Sequence, residues 1–549
     1  MPDQCAGSWW AGIAVAGLLL TGCGGGSDPL PEFGIGGQSG DELAADQTLH
    51  VGNYAEPQTL DPHRAEGVPA SNILRDLYEG LTSEAPDGAI IPGVAESWEI
   101  SADGRVYTFR LRENARWSNG DPVTAEDFVY GFRRTVNPTT LSHYSSILEP
   151  IENAAEIIAG EQPPATLGVA ATDTRTLVIR LTGPTPYLPG LLNHSTTYPV
   201  HRQSVEEHGN RFARPGRLIG NGAYRLTEWN VQSHIKLERN EHYWDDAATT
   251  IDTVFYYPIE NQDTELKRFR ADELDITNDI PYQQLNWIRE NLGSELVISP
   301  YLGSYYFGFN VTRPPFKGNA KLRRALSLAV DRDIITDRIT NAGEISAYGW
   351  VPPVTGYRQA EPEWAGWTQA ERDAKARRLY AEAGYSADNP LSVEILYNTS
   401  ANHKRISVAI ASMWKETLGV ETKLLNQEWK VFLDTRRRKE TTEVFRAGWI
   451  GDYNDAFSFS QLMHSENEMN HSGYASPAYD TLIERAATDQ DIDERAAILA
   501  RAEAQLLEDM PIIPVYFYVS KHLVKNWVGG RLPNIMDHHY TKNFYILKH

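Results

Sequence analysis

Between residues 391 and 449 the chain alternates apolar runs of strand length with helical repeats. Residues 391–397 read as a strand, 402–418 as a helix stopped by Gly419, 420–426 as a strand, 429–437 as a helix and 443–449 as a strand. Strand, helix, strand in succession folds into βαβ units, which build an open sheet with helices on both faces. The same texture begins near residue 303, with a strand over 305–310 and helices over 319–330, 333–341 and 368–384. It closes with a helical pair, 479–487 and 492–507, and a β run over 512–519. Ligands of such sheets sit beyond the carboxyl ends of the strands. Just past one of those ends lie Gly451, Asp452, Tyr453, Asn454 and Asp455.

In strand geometry Phe445, Ala447 and Trp449 share one face, and Arg446, Gly448 and Ile450 the other. Gly448 offers bare backbone for the close approach of another chain. Asp452 follows in a turn, where a rigid scaffold can project its carboxylate. The stretch suits an extended peptide: an edge for its main chain, an anion for its amino group and an aromatic wall. Taken alone it is better explained as a buried strand, with Trp449 in the core and Asp452 capping a turn.

The first half of the chain alternates without obvious repeats. Residues 48–54 read as a strand and 71–81 as a helix with Ser71 as its N-cap. Residues 91–100 and 106–112 form a hairpin about Asp103-Gly104. Thr124 to Asp127 resembles a capping box that opens a helix through Phe132. Strands follow over 220–229 and 234–238, a helix over 264–271 and a short strand over 274–277.

A chain of 549 residues is too long for one core, so two or three domains are expected. Its formal net charge of −22 argues against nucleic acid as a partner, because the phosphate backbone would be repelled. Cys5 and Cys23 are the only cysteines, which excludes a disulfide in the body and a cysteine zinc site. The chain has no GxSxG, HExxH or Walker motif. The acidic cluster at 489–493 is read as a helix N-cap rather than a calcium loop, since Glu494 and Ala500 stand where that loop needs glycine and glutamate. His538-His539 is read as a surface pair rather than a metal site. A binding protein without enzymatic activity, metal or cofactor is the expectation.

Residues 9–20 are apolar and too short to cross a bilayer, as in the core of a signal peptide. They run into Leu20-Thr21-Gly22-Cys23, which resembles the lipobox of bacterial lipoproteins. That resemblance implies a signal peptide over 1–22, cleavage before Cys23 and lipidation of its thiol. Residues 1–8 depart from the pattern, with Asp3 and no Lys or Arg. Residues 23–45 are rich in Gly, Ser, Pro and acidic side chains and read as a flexible tether. The body is expected in the periplasm or cell envelope, held to a membrane through Cys23.

From about residue 50 onward the chain resembles the oligopeptide-binding (Opp-type) receptors of ABC importers, in solute-binding protein family 5. The resemblance rests on residues 56–63 with 66–69, on 94–98 and 117–128, on Asn221-Gly222-Ala223-Tyr224 and Tyr243-Trp244, and on 426–429, 432–436 and 448–453. It implies an α/β two-lobed periplasmic-binding-protein clamshell (type II) with an additional α+β domain inserted in the first lobe. The first lobe would comprise 46–78, 201–302 and 519–549, the extra domain 79–200 and the second lobe 303–518. Asp452 would bind the α-ammonium of a short peptide. Glu66, Gly67 and Val68 from one side and Gly448, Trp449 and Ile450 from the other would flank the peptide as strands. Trp429 and Trp449 would line side-chain pockets. Arg436, Arg446 and His403 match positions that meet a peptide carboxylate, although for the arginines an internal ion pair with Glu443 or Asp434 is the alternative. Tyr144 would stand at the rim of the cleft, or be an ordinary surface aromatic. Two positions depart from relatives: Ile450 stands for a cysteine, and Gly308 for an acidic residue. The implied partners are short peptides and ABC permease subunits, with the protein a monomer. Murein peptides or peptide signals are the alternative ligands, and a chaperone-like scaffold the alternative from another class.

Overall fold

The computed structural model describes residues 42–549, apart from 355, 356, 441 and 490. The signal peptide, most of the tether and Cys23 lie outside the described residues.

The described chain opens with β1 (Thr48–Gly52) and α1 (Val68–Leu77). This helix starts earlier than the Ser71 cap implied. Pro69 sits in its first turn, where a missing N–H is tolerated and the fixed φ suits the helix. Gly67 precedes it at φ 87°. Hence residues 66–68 are not a strand: Val68 already belongs to α1. The helix stops at Leu77, whose carbonyl accepts from the Gly222 N–H at 3.0 Å.

Next come β2 (Ala95–Ile100) and β3 (Val106–Leu111), the hairpin expected about Asp103-Gly104, with Gly104 at φ +69°. α2 (Ala125–Val136) has the full capping box between Thr124 and Asp127. With β4 (Val169–Asp173) and β5 (Thr176–Arg180) the hairpin makes an antiparallel sheet ordered β2-β3-β5-β4. β6 (Tyr224–Asn230), β7 (His234–Arg239) and β8 (Thr253–Tyr257) return to β1, giving the order β1-β8-β7-β6. One apolar core runs through both sheets. The strand expected at 274–277 is a single bridging residue, Ile276, tied to Val51 and Val524.

The rest of the chain builds one six-stranded sheet from β9 (Leu296–Phe309), β10 (Ile345–Ser346), β11 (Ser392–Asn398), β12 (Glu421–Gln427), β13 (Val444–Ile450) and β14 (Ile512–Leu523). Its order is β10-β14-β9-β13-β11-β12. β11 is parallel to both β12 and β13, the βαβ part that the alternation required, whereas β9 lies antiparallel to β13 and β14. Helices cover both faces. Among them α3 (Ala401–Leu418) contributes Ile406, Ile410 and Trp414 to the core that holds Val444. On the other face α4 (Trp429–Arg438) contributes Phe432 and Leu433 to the core that holds Phe445, Ala447 and Trp449. The period-two face of β13 is thus the one that the residue pattern implied. β9 and β14 are long enough to leave this sheet and reach the first one: Val524 N–H donates to Glu295 O at 2.8 Å and Thr277 N–H to Leu523 O at 2.9 Å. Their pairing shifts register between Pro300 and Ser304.

Candidate functional site

A cleft lies between the first sheet with α1 and the six-stranded sheet, with about 340 Å³ of space open to the centre of a water molecule. All twelve expected body residues, from Glu66 to Asp452, line it.

Asp452 follows β13 after Gly451. Its backbone N–H donates to Ser458 Oγ at 2.8 Å. The carboxyl is 8% exposed, and the nearest ionisable partner, His194 Nε2, is 3.6 Å from Oδ1. Burial pushes Asp452 up to about 8, against a smaller pull from the Ser458 hydroxyl. Burial, aided by the charges of Arg75 and His538, pushes His194 down to about 3. The contact therefore joins two neutral groups and is not an ion pair, despite its length falling within ion-pair range. A cation set against Asp452 would restore its ionisation and make a strong charge-assisted contact.

Leading to Asp452 is an edge. β13 pairs with β9 as far as Ile450. On its other side β11 pairs only with Val444 and Phe445. From Arg446 to Ile450 that side has no strand partner among the described residues, so its backbone can pair with an extended ligand. Gly448 has no room for a side chain, as a Cβ would lie 2.5 Å from Tyr518 Oη. Trp449 is both things that the residue pattern allowed. It belongs to the core and donates from Nε1 to Ser458 O at 2.9 Å, and its ring also stacks on Tyr144 with centroids 6.1 Å apart. Tyr144 is held between Trp449 and His194 and is not a surface aromatic.

The charged residues are arranged differently from either alternative. Arg436 pairs with neither Glu443 nor Asp434. Its Nη2 is 3.4 Å from Glu66, and Arg437 Nη2 lies 2.5 Å from the other oxygen of the same carboxylate. Asp434 pairs with Arg438, and Glu443 accepts from the Glu394 N–H. Glu66 thus serves an ion pair across the cleft, which leaves its backbone for any ligand contact. Arg446 has no carboxylate within ion-pair distance among the described residues. It donates to Tyr518 Oη at 2.8 Å and Asn398 Oδ1 at 3.3 Å and lies 4.7 Å over the Tyr305 ring. His403 is buried and held well below the usual histidine range by burial and by the charges of Arg446 and Lys521. It would meet a carboxylate as a neutral donor. Trp429 opens α4, packs edge-on to Tyr54 and lies against Gly67, where a Cβ would come 2.9 Å from its ring. Its Nε1 is buried without a hydrogen-bond partner among the described residues.

Several liners escaped sequence reasoning: Arg75, His194, Lys521 and the pair His538-His539. The reading of that pair as surface histidines is corrected, because the C-terminal segment folds back into the cleft wall. His538 Nδ1 bonds Glu84 at 2.8 Å and His539 Nε2 bonds Asp537 at 2.9 Å. No local signal marks these positions, which come from α1, the segment after β5, β14 and the chain end.

The family model for bacterial extracellular solute-binding proteins, family 5, matches residues 89–471. The chain belongs to this family. Among curated proteins, family 5 relatives include the periplasmic oligopeptide-binding protein OppA of Escherichia coli K12, 45% identical over 516 residues, 93% of this chain and 94% of that protein. Among solved structures, Haemophilus influenzae OppA in complex with RPPGFSPFR matches with a TM-score of 0.90 at 40% identity, covering 92% of this chain and 100% of that one. The E. coli murein tripeptide-binding protein MppA matches with a TM-score of 0.90 at 39% identity, covering 92% and 100%. Its unliganded open form, at the same identity and covering 92% and 99%, gives 0.66. This family 5 chain therefore has the two-lobed periplasmic binding-protein fold, in an arrangement unlike the open one. No helix of the described residues is long and apolar enough to cross a membrane.

Proposed function

We propose that the protein is the substrate-binding component of an ABC importer for short peptides. It holds them by main chain and free amino terminus between two closing lobes and delivers them to a permease. The observation that carries this reading is Asp452, a buried carboxyl without a cation, at the end of a strand edge that is open from Arg446 to Ile450. The names of the relatives support the ligand class, since E. coli OppA is named an oligopeptide-binding protein and H. influenzae OppA was solved in complex with RPPGFSPFR. They are binding proteins, and no covalent step is part of the proposal.

Arg446, without a carboxylate partner, serves the far end of the peptide, and Arg436 joins it by exchanging part of its bond to Glu66. The first lobe comprises 46–78, 201–302 and 519–549, the extra domain 79–200 and the second lobe 303–518. The three sheets of four or more strands fall one to each unit, and β9 and β14 cross the boundaries at 302 and 518 as the hinge strands. Closure is held by the Glu66 pair with Arg436 and Arg437, by Ser145 Oγ donating to Glu468 at 2.5 Å and by the stack of Tyr187 on Tyr453, centroids 4.8 Å apart. Cys23 carries lipid and tethers the body, as a monomer, to a membrane facing the periplasm.

Calorimetric titration of the refolded body tests the reading, with a pool of tri- to pentapeptides and the same pool N-acetylated. Binding of the free pool and its loss on acetylation is the expected result. Equal binding of both pools removes Asp452 from its role and favours a scaffold for unfolded chains. Binding of neither, with binding of a murein tripeptide, moves the ligand to the class described for MppA.

A further inference from the structure

Five arginine and lysine side chains line the cleft, and three of them face a carboxylate: Arg436 has Glu66, Arg531 has Asp537 at 3.4 Å and Lys521 has Glu344 at 2.8 Å. Arg446 and Arg75 have none within ion-pair distance among the described residues. Arg446 stands on β13, at the end given to the peptide's carboxylate. Arg75 stands on the opposite wall, in the last turn of α1.

An arginine in a last turn can simply complement the helix dipole. Arg75 does not bond the terminal carbonyls, however. Its protein hydrogen bond is from Nη1 to Asn72 Oδ1 at 3.1 Å. Two carboxylates near the histidines that its charge affects are engaged elsewhere. Glu84 accepts from His538 Nδ1 at 2.8 Å, and Asp537 is held by His522 and His539, each at 2.9 Å, and by Arg531. The position of Arg75 along the cleft follows from its neighbours: α1, which carries it, packs against residues 195–197, next to His194, and both side chains line the same cleft. After burial, its charge is the next cause holding both His194 and His538 below their ordinary range. His194 is in turn 3.6 Å from Asp452. Arg75 is therefore close to the amino-terminal end of the site, beyond the imidazole that borders Asp452. A guanidinium stays charged when removed from water, and a sheltered charge gains most from an opposite charge with hydrogen-bonding geometry.

Resting on the peptide reading above, we infer that Arg75 forms a subsite for an acidic side chain at the first or second residue of the bound peptide. The ligand class is thereby narrowed to short peptides with Asp or Glu beside a free amino terminus. The α-ammonium meets Asp452 and the side-chain carboxylate meets Arg75, so the two ends of one residue or of two neighbours are read by opposite charges.

The test compares tetrapeptides that differ only in Glu against Gln, at position one and at position two of an alanine background, by calorimetry on the refolded full body. The Glu peptide binds at least ten-fold more tightly than its Gln counterpart at one of the two positions. In Arg75→Met that ratio falls to within two-fold, and in Arg75→Lys most of it returns. Because the readout is a ratio within one protein, a general loss of affinity does not imitate it. If a variant fails to fold, the wild-type ratio still decides: equal affinity of Glu and Gln peptides at both positions overturns the subsite. A ratio that persists in Arg75→Met overturns the assignment to Arg75. Failure of the Glu, Gln and all-alanine tetrapeptides alike to bind wild-type protein refutes the peptide reading itself, which separates the two failures.

Discussion

Asp452 is a buried carboxyl at the end of an open strand edge, and its burial alone changes how it titrates. Burial raises its carboxyl from the ordinary aspartate value of 3.8 to about 8. An acid whose pKa is raised on folding stabilises the folded form below its unfolded pKa, and that contribution is lost as pH rises through the folded value. The ligand-free body in this arrangement should therefore lose stability progressively between about pH 4 and pH 8, and Asp452→Asn should flatten that slope in thermal melts. On the proposed peptide reading, the same substitution leaves the buried ammonium of a bound peptide without its partner. The expected loss is about 3–5 kcal/mol of affinity, as for one half of a buried ion pair, measured by calorimetry with the free-amine pool.

At the scale of the element, β13 does two jobs that conflict. Its first half is a core strand between β9 and β11, and its second half gives up one partner so that an edge remains. Gly448 makes this possible because the backbone passes 2.5 Å, measured from an added Cβ, from the Tyr518 hydroxyl that also accepts from Arg446. Gly448→Ala must push that hydroxyl away. An overpacking penalty of about 1–3 kcal/mol is expected, seen as weaker peptide binding in calorimetry. Elsewhere an element rests on its ends. Thr124→Ala removes one side of the capping box of α2 and should destabilise the part of the chain built on the β2-β3-β5-β4 sheet by about 1 kcal/mol. Denaturant titration checks this, with peptide affinity in native buffer essentially unaltered because α2 does not line the cleft.

At the scale of the whole molecule, closure brings like charges together. Glu149, from the segment before β4, is raised to about 7 by burial and by the charges of Glu468 and Glu466 on the six-stranded-sheet side. Glu468 is itself raised, first by burial. By the same sign rule, the closed form has this contribution in full below about pH 4.5 and loses it as pH rises through about 7. Glu149→Gln is expected to raise the melting temperature of the peptide-bound protein at pH 7.5 and to leave it nearly unchanged at pH 5. An equal shift at both pH values would remove the carboxylate contact from the energetics of closure.

What the residues dictate locally was legible from the sequence. The alternating faces of β13, the capped helices at 125–136, 369–382, 401–418 and 429–438, and the turn that carries Asp452 all follow from signals a few residues long. Even there a local rule can yield to a neighbour: Pro69 moved the start of α1 ahead of Ser71 and turned Val68 from a strand residue into a helical one. The pairing of Glu66 with Arg436 and Arg437, the neutral state of His194, the burial of His538-His539 and the missing carboxylate beside Arg75 were decided by the tertiary structure alone. Glu66 and Arg436 are 370 residues apart. Periodicity and capping act over one or two turns, whereas the charge state of a cleft depends on which distant segments exclude water from it.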